Sequence, residues 1–331
     1  MDNLYPLKFS PIYKERIWGG NQLRTHLGKK VPDSITRCGE SWEISAVQGS
    51  ISVVSNGFLK GNNLQELVEV YMTDLVGERV YEEYGVEFPL LIKLIDAADD
   101  LSIQVHPNDE LAKERHHAYG KTEMWYVIKS DKDSKIIVGF NHDVSPEVYL
   151  EHLYNKQLTK IINYEEARPD DIFFIPSGKI HAVGKGILLA EIQQTSDITY
   201  RIYDWDRVDE KGNSRELHTD LALEAINFRK STENKKTIPL QLNSPTELIS
   251  CRHFTTSRLS FNKTIQRDYT WLDSFIIFMC IQGEAAILYA NDKKNEHIKT
   301  GETVLIPAEI KDIRLKPIIF TTILEIFVQQ K

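Results

Sequence analysis

The sequence predicts a mainly β protein made of two β-barrel units with a few flanking α-helices. Short segments such as Leu101–Val105 and Lys135–Phe140 recur between turns, and in them apolar and polar residues alternate. This period of two residues is typical of a half-buried strand. Two stretches, Asp170–Pro176 and Gly301–Pro307, repeat one pattern of turn, apolar strand and proline in the same spacing. Such a repeat favours two copies of one barrel unit over a single irregular domain.

Composition and charge narrow the class of protein. The 331 residues are 41% hydrophobic and 10% aromatic, which is enough for two sizeable cores. The net charge of -8 disfavours a nucleic-acid or anionic-membrane surface, while leaving room for a local basic pocket. Three isolated cysteines predict reduced thiols in a cytoplasmic protein. We expect no signal peptide at the N-terminus, and no apolar run approaches the roughly 18 residues of a membrane helix.

The elements follow in order along the chain. The first 60 residues predict short strands punctuated by glycine turns. Apolar residues at three- and four-residue steps predict a helix over about 62–84, and shorter helices are expected at about 109–117, 145–155 and 216–228. The segments between these helices predict strands.

A polar and charged stretch, Arg229–Lys236, marks the expected domain boundary. We therefore predict a metal-binding catalytic domain over 1–235 and a second β-barrel over 236–331. The second barrel lacks candidate metal ligands, and we expect it to support the first.

Candidate metal ligands begin in Leu101–Pro107. The strand period places Ser102, Gln104 and His106 on one face, and the apolar segments around this strand turn that face towards a cavity. Glu123 begins the next strand among apolar neighbours, where an unpaired carboxylate would be unfavourable.

His181 follows the repeated proline. The run Pro176–His181 resembles the second motif of the cupin superfamily, whereas the second copy, Pro307–Lys311, has neither the glycine nor the histidine. In a small jelly-roll barrel Gln104, His106, Glu123 and His181 converge on one mouth, where their nitrogen and oxygen donors suit zinc or another divalent ion.

Longer motifs resemble one family, the type I mannose-6-phosphate isomerases (phosphomannose isomerases), over about residues 10–220. The chain length is similar to that of the short bacterial form. The motifs that carry the resemblance are Arg16–Gly20, Gly39–Glu43, Leu91–Ile95, Leu101–Pro107, Gly120–Trp125, Glu191, Ser196–Arg201 and Tyr203–Arg207.

The resemblance implies two cupin-type jelly-roll barrels and a zinc-dependent aldose–ketose isomerase that interconverts mannose 6-phosphate and fructose 6-phosphate. It implies one zinc ion per chain, held by the four ligands named above. It also places further residues in the active site: Trp18, Lys93, Lys121, Glu191 and Arg201.

The chemistry of the reaction assigns provisional roles to these side chains. Moving a proton between C1 and C2 through a cis-enediol needs a base, and Glu191, Lys93 and Lys121 remain alternatives for it. Arg201 suits the substrate phosphate, with Ser102 and Lys121 as helpers. We thus assign Arg201, Glu191, Lys93 and Lys121 to catalysis and Trp18, Ser102, Arg201 and Lys121 to substrate binding.

Two other classes of function remain open from the residues alone. Two histidines and a glutamate also form the metal triad of non-haem iron oxygenases, and a barrel of this kind can bind sugar without catalysis. The cationic residues favour a phosphosugar substrate, and no DNA-binding helix pair is evident. We expect a monomer or a weak homodimer that binds neither nucleic acid nor membrane. The His116–His117 pair is expected at the surface, because adjacent helical residues face different directions.

Overall fold

The computed structural model describes residues 4–208 and 211–329. Within them the chain forms 22 strands, six α-helices and a short 3-10 helix at Leu158–Lys160. The strands of the first 200 residues are β1 (Leu7–Lys8), β2 (Ile12–Gly20), β3 (Cys38–Ile44), β4 (Leu90–Ala97), β5 (Ile103–Val105), β6 (Glu123–Ser130), β7 (Lys135–Phe140), β8 (Ile162–Glu166), β9 (Asp171–Ile175), β10 (His181–Val183), β11 (Ile187–Gln194) and β12 (Tyr200–Tyr203).

The remaining elements complete the list. The later strands are β13 (Lys235–Thr237), β14 (Pro245–Ser250), β15 (Thr255–Phe261), β16 (Ile265–Asp268), β17 (Ile276–Gln282), β18 (Glu284–Tyr289), β19 (Lys294–Lys299), β20 (Thr303–Ile306), β21 (Asp312–Pro317) and β22 (Thr321–Phe327). The helices are α1 (Gln22–Thr25), α2 (Leu64–Val76), α3 (Glu78–Tyr84), α4 (Asp109–His116), α5 (Pro146–Tyr154) and α6 (Thr219–Ala225).

The strands form four open sheets. Their orders are β13-β9-β6-β11-β4-β2-β3, β12-β5-β10-β7-β8, β1-β20-β17-β22-β15-β14 and β16-β21-β18-β19. The mainly β class is confirmed. None of the sheets in the described part of the chain closes into a barrel, so the two jelly-roll barrels stay a prediction.

Buried apolar clusters show how the sheets are layered. Trp125 and Ile95 of the seven-stranded sheet share a cluster with Val138 of the five-stranded sheet, which therefore faces it. The other face of the seven-stranded sheet packs on the six-stranded sheet through residues such as Met124 and Ile277. A further cluster joins the six- and four-stranded sheets, and α5 and α6 cover the outer face of the five-stranded sheet.

Two edge strands connect the halves of the chain. β1, at the N-terminus, pairs with β20 of the six-stranded sheet, whereas β13 pairs with β9 of the seven-stranded sheet. The predicted boundary between residues 235 and 236 lies inside β13, and the division into two domains stays a proposal. Both edge strands cover backbone groups that would otherwise be exposed.

Local sequence explains where α2 begins and ends. In α2 the Asn63 side chain accepts from the Glu66 backbone while the Glu66 side chain accepts from the Asn63 backbone, a capping box. The segment predicted as one helix over 62–84 forms two, because Gly77 has a positive φ of 92° and ends α2. Among the short strands predicted in the first 60 residues, the segment Ser50–Val54 forms only isolated bridges, at Val53 and Val54.

Among residues 4–208 and 211–329, none of the helices combines the length and the apolar character that a membrane crossing needs.

Candidate active site

A cavity of about 540 Å³ opens between the seven- and five-stranded sheets. β2, β3, β4, β6 and β11 supply one wall, and β5, β10 and β12 supply the other. Seven of the residues singled out from the sequence line it: Trp18, Lys93, Ser102, Gln104, Lys121, Glu191 and Arg201. Trp18, Lys93, Gln104, Glu191 and Arg201 lie on strands, so sheet pairing holds these side chains in position. Ser102 and Lys121 lie in the segments that lead into β5 and β6.

His106, Glu123 and His181 lie next to this cavity and are fully buried. One ligand atom from each lies within 4.8 Å of the other two. His106 Nε2 is 3.5 Å from Glu123 Oε2, and His181 Nε2 is 3.4 Å from Glu123 Oε1. The pairing of β10 with β5 sets His181 opposite Gln104, whose Nε2 is 3.1 Å from His181 Nε2. Sheet register therefore sets His181 beside Gln104, and the packing of the two sheets brings Glu123 to His106 and His181.

The hydrogen bonds of the two histidines fit a metal site. Nδ1 of His106 donates to the carbonyl of Ile198 at 2.9 Å, and Nδ1 of His181 donates to the carbonyl of Lys179 at 2.8 Å. Each Nε2 lone pair is thereby directed towards Glu123, an arrangement typical of metal-binding histidines. His106 Nε2 and Glu123 Oε1 are buried without a hydrogen-bond partner. These donors suit zinc, while a bound Gln104 would have to turn its amide oxygen inwards.

Burial controls the charge of these groups. Burial lowers the pKa of His181 to about 3 and that of His106 well below its ordinary value, so both imidazoles are neutral and able to bind a cation. Burial also raises the pKa of Glu123, although nearby Lys121 opposes this. A divalent ion would compensate the charge of Glu123, as Lys121 does in part at 3.0 Å.

A second charged group lies beside the metal ligands. Lys93 Nζ is 2.9 Å from Glu191 Oε2, and Trp125 Nε1 donates to Glu191 Oε1 at 2.9 Å. Burial acts to raise the pKa of Glu191, but Lys93 and Lys121 outweigh it and lower the pKa overall. Burial likewise acts to lower the pKa of Lys121, but Glu123 and Glu191 outweigh it and raise that pKa. Glu191 is therefore a carboxylate at neutral pH and Lys121 is an ammonium.

The same wall of the cavity also contains Glu40 and Trp42 of β3, to which the sequence analysis assigned no role. Glu40 accepts from Arg16 Nε at 3.0 Å and from Trp42 Nε1 at 2.6 Å. Lys93 Nζ lies 5.2 Å from the centroid of the Trp42 ring, a cation–π contact. The alternation Glu40-Ser41-Trp42 in a strand was the available signal, because it places Glu40 and Trp42 on one face.

Arg201 lies on β12 directly opposite Gln104 of β5. Two carboxylates that follow Arg201 in the sequence bind other residues, since Asp204 pairs with Arg207 and Arg215, and Asp206 pairs with Lys156. Ser102 is buried on the same wall. Arg201 is thus available to a ligand in the cavity.

The predicted surface pair is exposed, but His116 is not without contacts. His116 Nε2 lies 2.8 Å from the hydroxyl of buried Tyr200, which precedes Arg201 in β12.

The chain is similar in sequence to known proteins. Residues 6–140 match the family model described as phosphomannose isomerase type I, catalytic domain. The mannose-6-phosphate isomerase ManA of Bacillus subtilis is 37% identical over 94% of this chain and 96% of its own length. A mannose-6-phosphate isomerase of Streptococcus mutans is 34% identical, covering 92% of this chain and 93% of that protein.

The fold is similar to solved structures as well. The crystal structure of the mannose 6-phosphate isomerase from Bacillus subtilis superposes with a TM-score of 0.84 at 31% identity, covering 97% of this chain and 99% of that one.

Proposed function

Because the chain belongs to the family of type I phosphomannose isomerases, we propose that it is a zinc-dependent isomerase that interconverts mannose 6-phosphate and fructose 6-phosphate. One observation carries the proposal. A group of two neutral histidines and a carboxylate lies next to the cavity that the Lys93–Glu191 pair and Lys121 line. Such a cavity combines a cation site with a base and two further positive charges.

Gln104, His106, Glu123 and His181 would hold the zinc ion. When bound, the ion supplies a Lewis acid that stabilises negative charge on the oxygens at C1 and C2 of the open-chain sugar.

We assign the proton transfer to Glu191 among the three alternatives. Lys121 stays protonated because of Glu123 and Glu191, and Lys93 is engaged in an ion pair with Glu191. Glu191 is ionised and lines the cavity, so it can accept a proton. In the forward direction it takes the proton from C2 of mannose 6-phosphate and returns it to C1 of the cis-enediol, while the O2 hydroxyl proton moves to O1.

The positively charged residues around Glu191 stabilise the intermediate and bind the substrate. Lys93 and Lys121, whose side chains are buried, stabilise the charge that develops on the enediol oxygens. Arg201, with the hydroxyl of Ser102, binds the substrate phosphate, and Trp18 forms part of the wall against which the sugar packs.

The test is turnover of mannose 6-phosphate by the purified protein, before and after chelator treatment and after adding zinc back. We expect activity to be lost and then restored, and metal analysis to find one zinc ion per chain. Absence of turnover in the zinc-loaded protein would contradict the proposal. Turnover restored by iron and dependent on oxygen would instead indicate an oxygenase.

We also expect the protein to be cytoplasmic and to occur as a monomer or weak homodimer. Sedimentation at several protein concentrations checks the oligomeric state.

A further inference from the structure

Two arginines line the same end of the active-site cavity. Arg201 comes from β12, the edge strand of the five-stranded sheet, and Arg215 comes from the segment between β12 and α6. Nothing in the sequence pattern indicated a role for Arg215, because it lies in a polar connection rather than in a strand or helix.

The Arg201 guanidinium is only partly satisfied by the protein. Its Nη1 donates to the carbonyl of Glu216 at 2.8 Å, while its Nε is buried and has no hydrogen-bond partner. None of the ion pairs within residues 4–208 and 211–329 involves Arg201. A buried guanidinium N–H without a partner is unfavourable unless a ligand accepts from it.

Arg215 is held in place by one carboxylate. Its Nε donates to Asp204 Oδ2 at 2.7 Å and its Nη2 donates to Asp204 Oδ1. The same carboxylate accepts from Arg207 Nη2 at 2.6 Å, and its side chain is largely buried. This two-pronged contact fixes the plane of the Arg215 guanidinium and leaves Nη1 outside the pair.

The two guanidinium groups are close enough to repel each other. Burial lowers the pKa of Arg201, and the positive charge of Arg215 lowers it further. Asp197 also lines this part of the cavity but is exposed to solvent. An anion bound between the arginines would relieve this repulsion.

We infer that Arg215 is a second phosphate-binding residue, which holds the phosphate of the sugar together with Arg201. The inference rests on the proposed function, because it names the recognition of the substrate at that same site. Two guanidinium groups from different segments match the several oxygens of a phosphate dianion better than one does. Arg215 thereby selects a phosphorylated sugar over the free sugar.

The opposite wall of the cavity supplies the matched control. Lys14 also lines the cavity, donates to Ser50 Oγ at 2.7 Å and lies 4.6 Å from the centroid of the Trp42 ring. Replacing Lys14 by methionine removes one positive charge from the same cavity, but at the seven-stranded sheet. If only long-range electrostatics attracted the phosphate, replacing Arg215 and replacing Lys14 by methionine would raise KM to a similar extent.

The experiment compares Arg215→Met and Lys14→Met in the zinc-loaded protein. The measured quantities are KM and kcat for mannose 6-phosphate and the inhibition constant of inorganic phosphate. For Arg215→Met we expect KM and the inhibition constant to rise about 10- to 100-fold with kcat changed less than about threefold, as for loss of a hydrogen bond to a charged group. For Lys14→Met we expect changes below about twofold.

Two outcomes would overturn the inference. An Arg215→Met protein with wild-type KM and phosphate inhibition shows that Arg215 does not bind phosphate. A rise in KM confined to Lys14→Met shows that the phosphate lies at the other wall. If Arg215→Met fails to fold, Arg215→Lys keeps the charge but loses the two-pronged contact, and we expect an intermediate rise in KM with it; no rise would again contradict the inference.

Failure of the proposed function gives a different result. A wild-type protein that never converts mannose 6-phosphate refutes the isomerase proposal. Calorimetric titration of wild-type and Arg215→Met protein with inorganic phosphate then still tests the arginine pair, which predicts weaker phosphate binding in the variant.

Discussion

The seven-stranded sheet that carries the candidate active site and the six-stranded sheet of the last third are paired in the same register. Glu191 on β11 lies opposite Trp125 on β6, and Glu325 on β22 lies opposite Phe278 on β17. The repeated turn, strand and proline fall at equivalent places, on β9 and β20. The two sheets therefore each contain a buried glutamate at the equivalent position.

The residues around that glutamate differ. By the same pairing, the positions of Gln104, Glu123 and His181 correspond to Asp268, Ile276 and Asp312. Asp268 and Asp312 are exposed, and the single group of possible metal ligands among residues 4–208 and 211–329 is in the first half.

Glu325 is satisfied within the protein, whereas Glu191 faces a cavity. Arg267 Nε and Nη2 each donate to Glu325 at 2.9 Å, and the Tyr269 hydroxyl donates to Glu325 Oε1. Burial and the charge of Glu325 raise the pKa of Tyr269, which stays a hydrogen-bond donor. A buried carboxylate is thus structural where an arginine and a tyrosine surround it, and available for chemistry where lysines line an open pocket.

Replacing Glu123 of the seven-stranded sheet by the residue at the equivalent position of the six-stranded sheet should have the largest effect on activity. Glu123→Ile introduces the residue of the equivalent position, Ile276, and removes the central carboxylate of the proposed metal site. We expect loss of bound zinc and a fall in kcat of more than about 10³-fold. Metal analysis and turnover check this together, and His181→Ala should behave alike. An active variant without metal would contradict the ligand assignment.

The proposed base comes next. Glu191→Gln removes the carboxylate but keeps the shape, so we expect kcat to fall about 10²- to 10⁴-fold while zinc stays bound. The matched control is Glu325→Gln, the same replacement at the equivalent position of the other sheet, for which kcat per folded molecule should not change. Equal losses of kcat in the two variants would show that the distinction between the sheets is wrong.

The buried ion pair of the second region should affect stability instead. Glu325→Ala leaves the Arg267 guanidinium without its carboxylate, and we expect unfolding in urea to show a destabilisation of about 3–5 kcal/mol. The double variant Arg267→Met/Glu325→Met removes both charges and should recover most of that loss. A single variant as stable as the wild type would mean that the pair does not stabilise this sheet.

The smallest expected effect is the pH dependence of the free energy of unfolding that comes from Asp204, which binds Arg215 beside the active-site cavity. Burial acts to raise the pKa of Asp204, but hydrogen bonds from Arg215 and Arg207 outweigh it and lower the pKa. The unfolded chain then binds this proton at higher pH than the folded chain. The stabilisation is therefore complete above the ordinary pKa of about 4 and is lost as the pH falls through the lower folded value.

Asp204→Asn checks this sign. We expect it to lower the free energy of unfolding by about 1–2 kcal/mol at pH 7, with the difference from wild type shrinking towards pH 3. A difference that stays constant over this range would contradict the assignment.

Sequence alone predicted the mainly β class and the candidate metal ligands. Alternating strands, the repeated proline and the Gln104–His106 spacing each depend on residues close together in the chain, so their pattern can be read directly. The motif resemblance extended this to Lys93, Lys121, Glu191 and Arg201. All four line one cavity in the structure.

Only the tertiary structure decided the environment of each charge. Three features depend on contacts between residues that are distant in the sequence. Glu191 pairs with Lys93, and Asp204 binds Arg207 and Arg215 rather than Arg201. Strand β1 pairs with β20 of the six-stranded sheet. The sequence shows a glutamate in the same way whether an arginine pairs with it or whether it faces a cavity. Its charge and its role follow from burial and partners, which the linear order of residues does not contain.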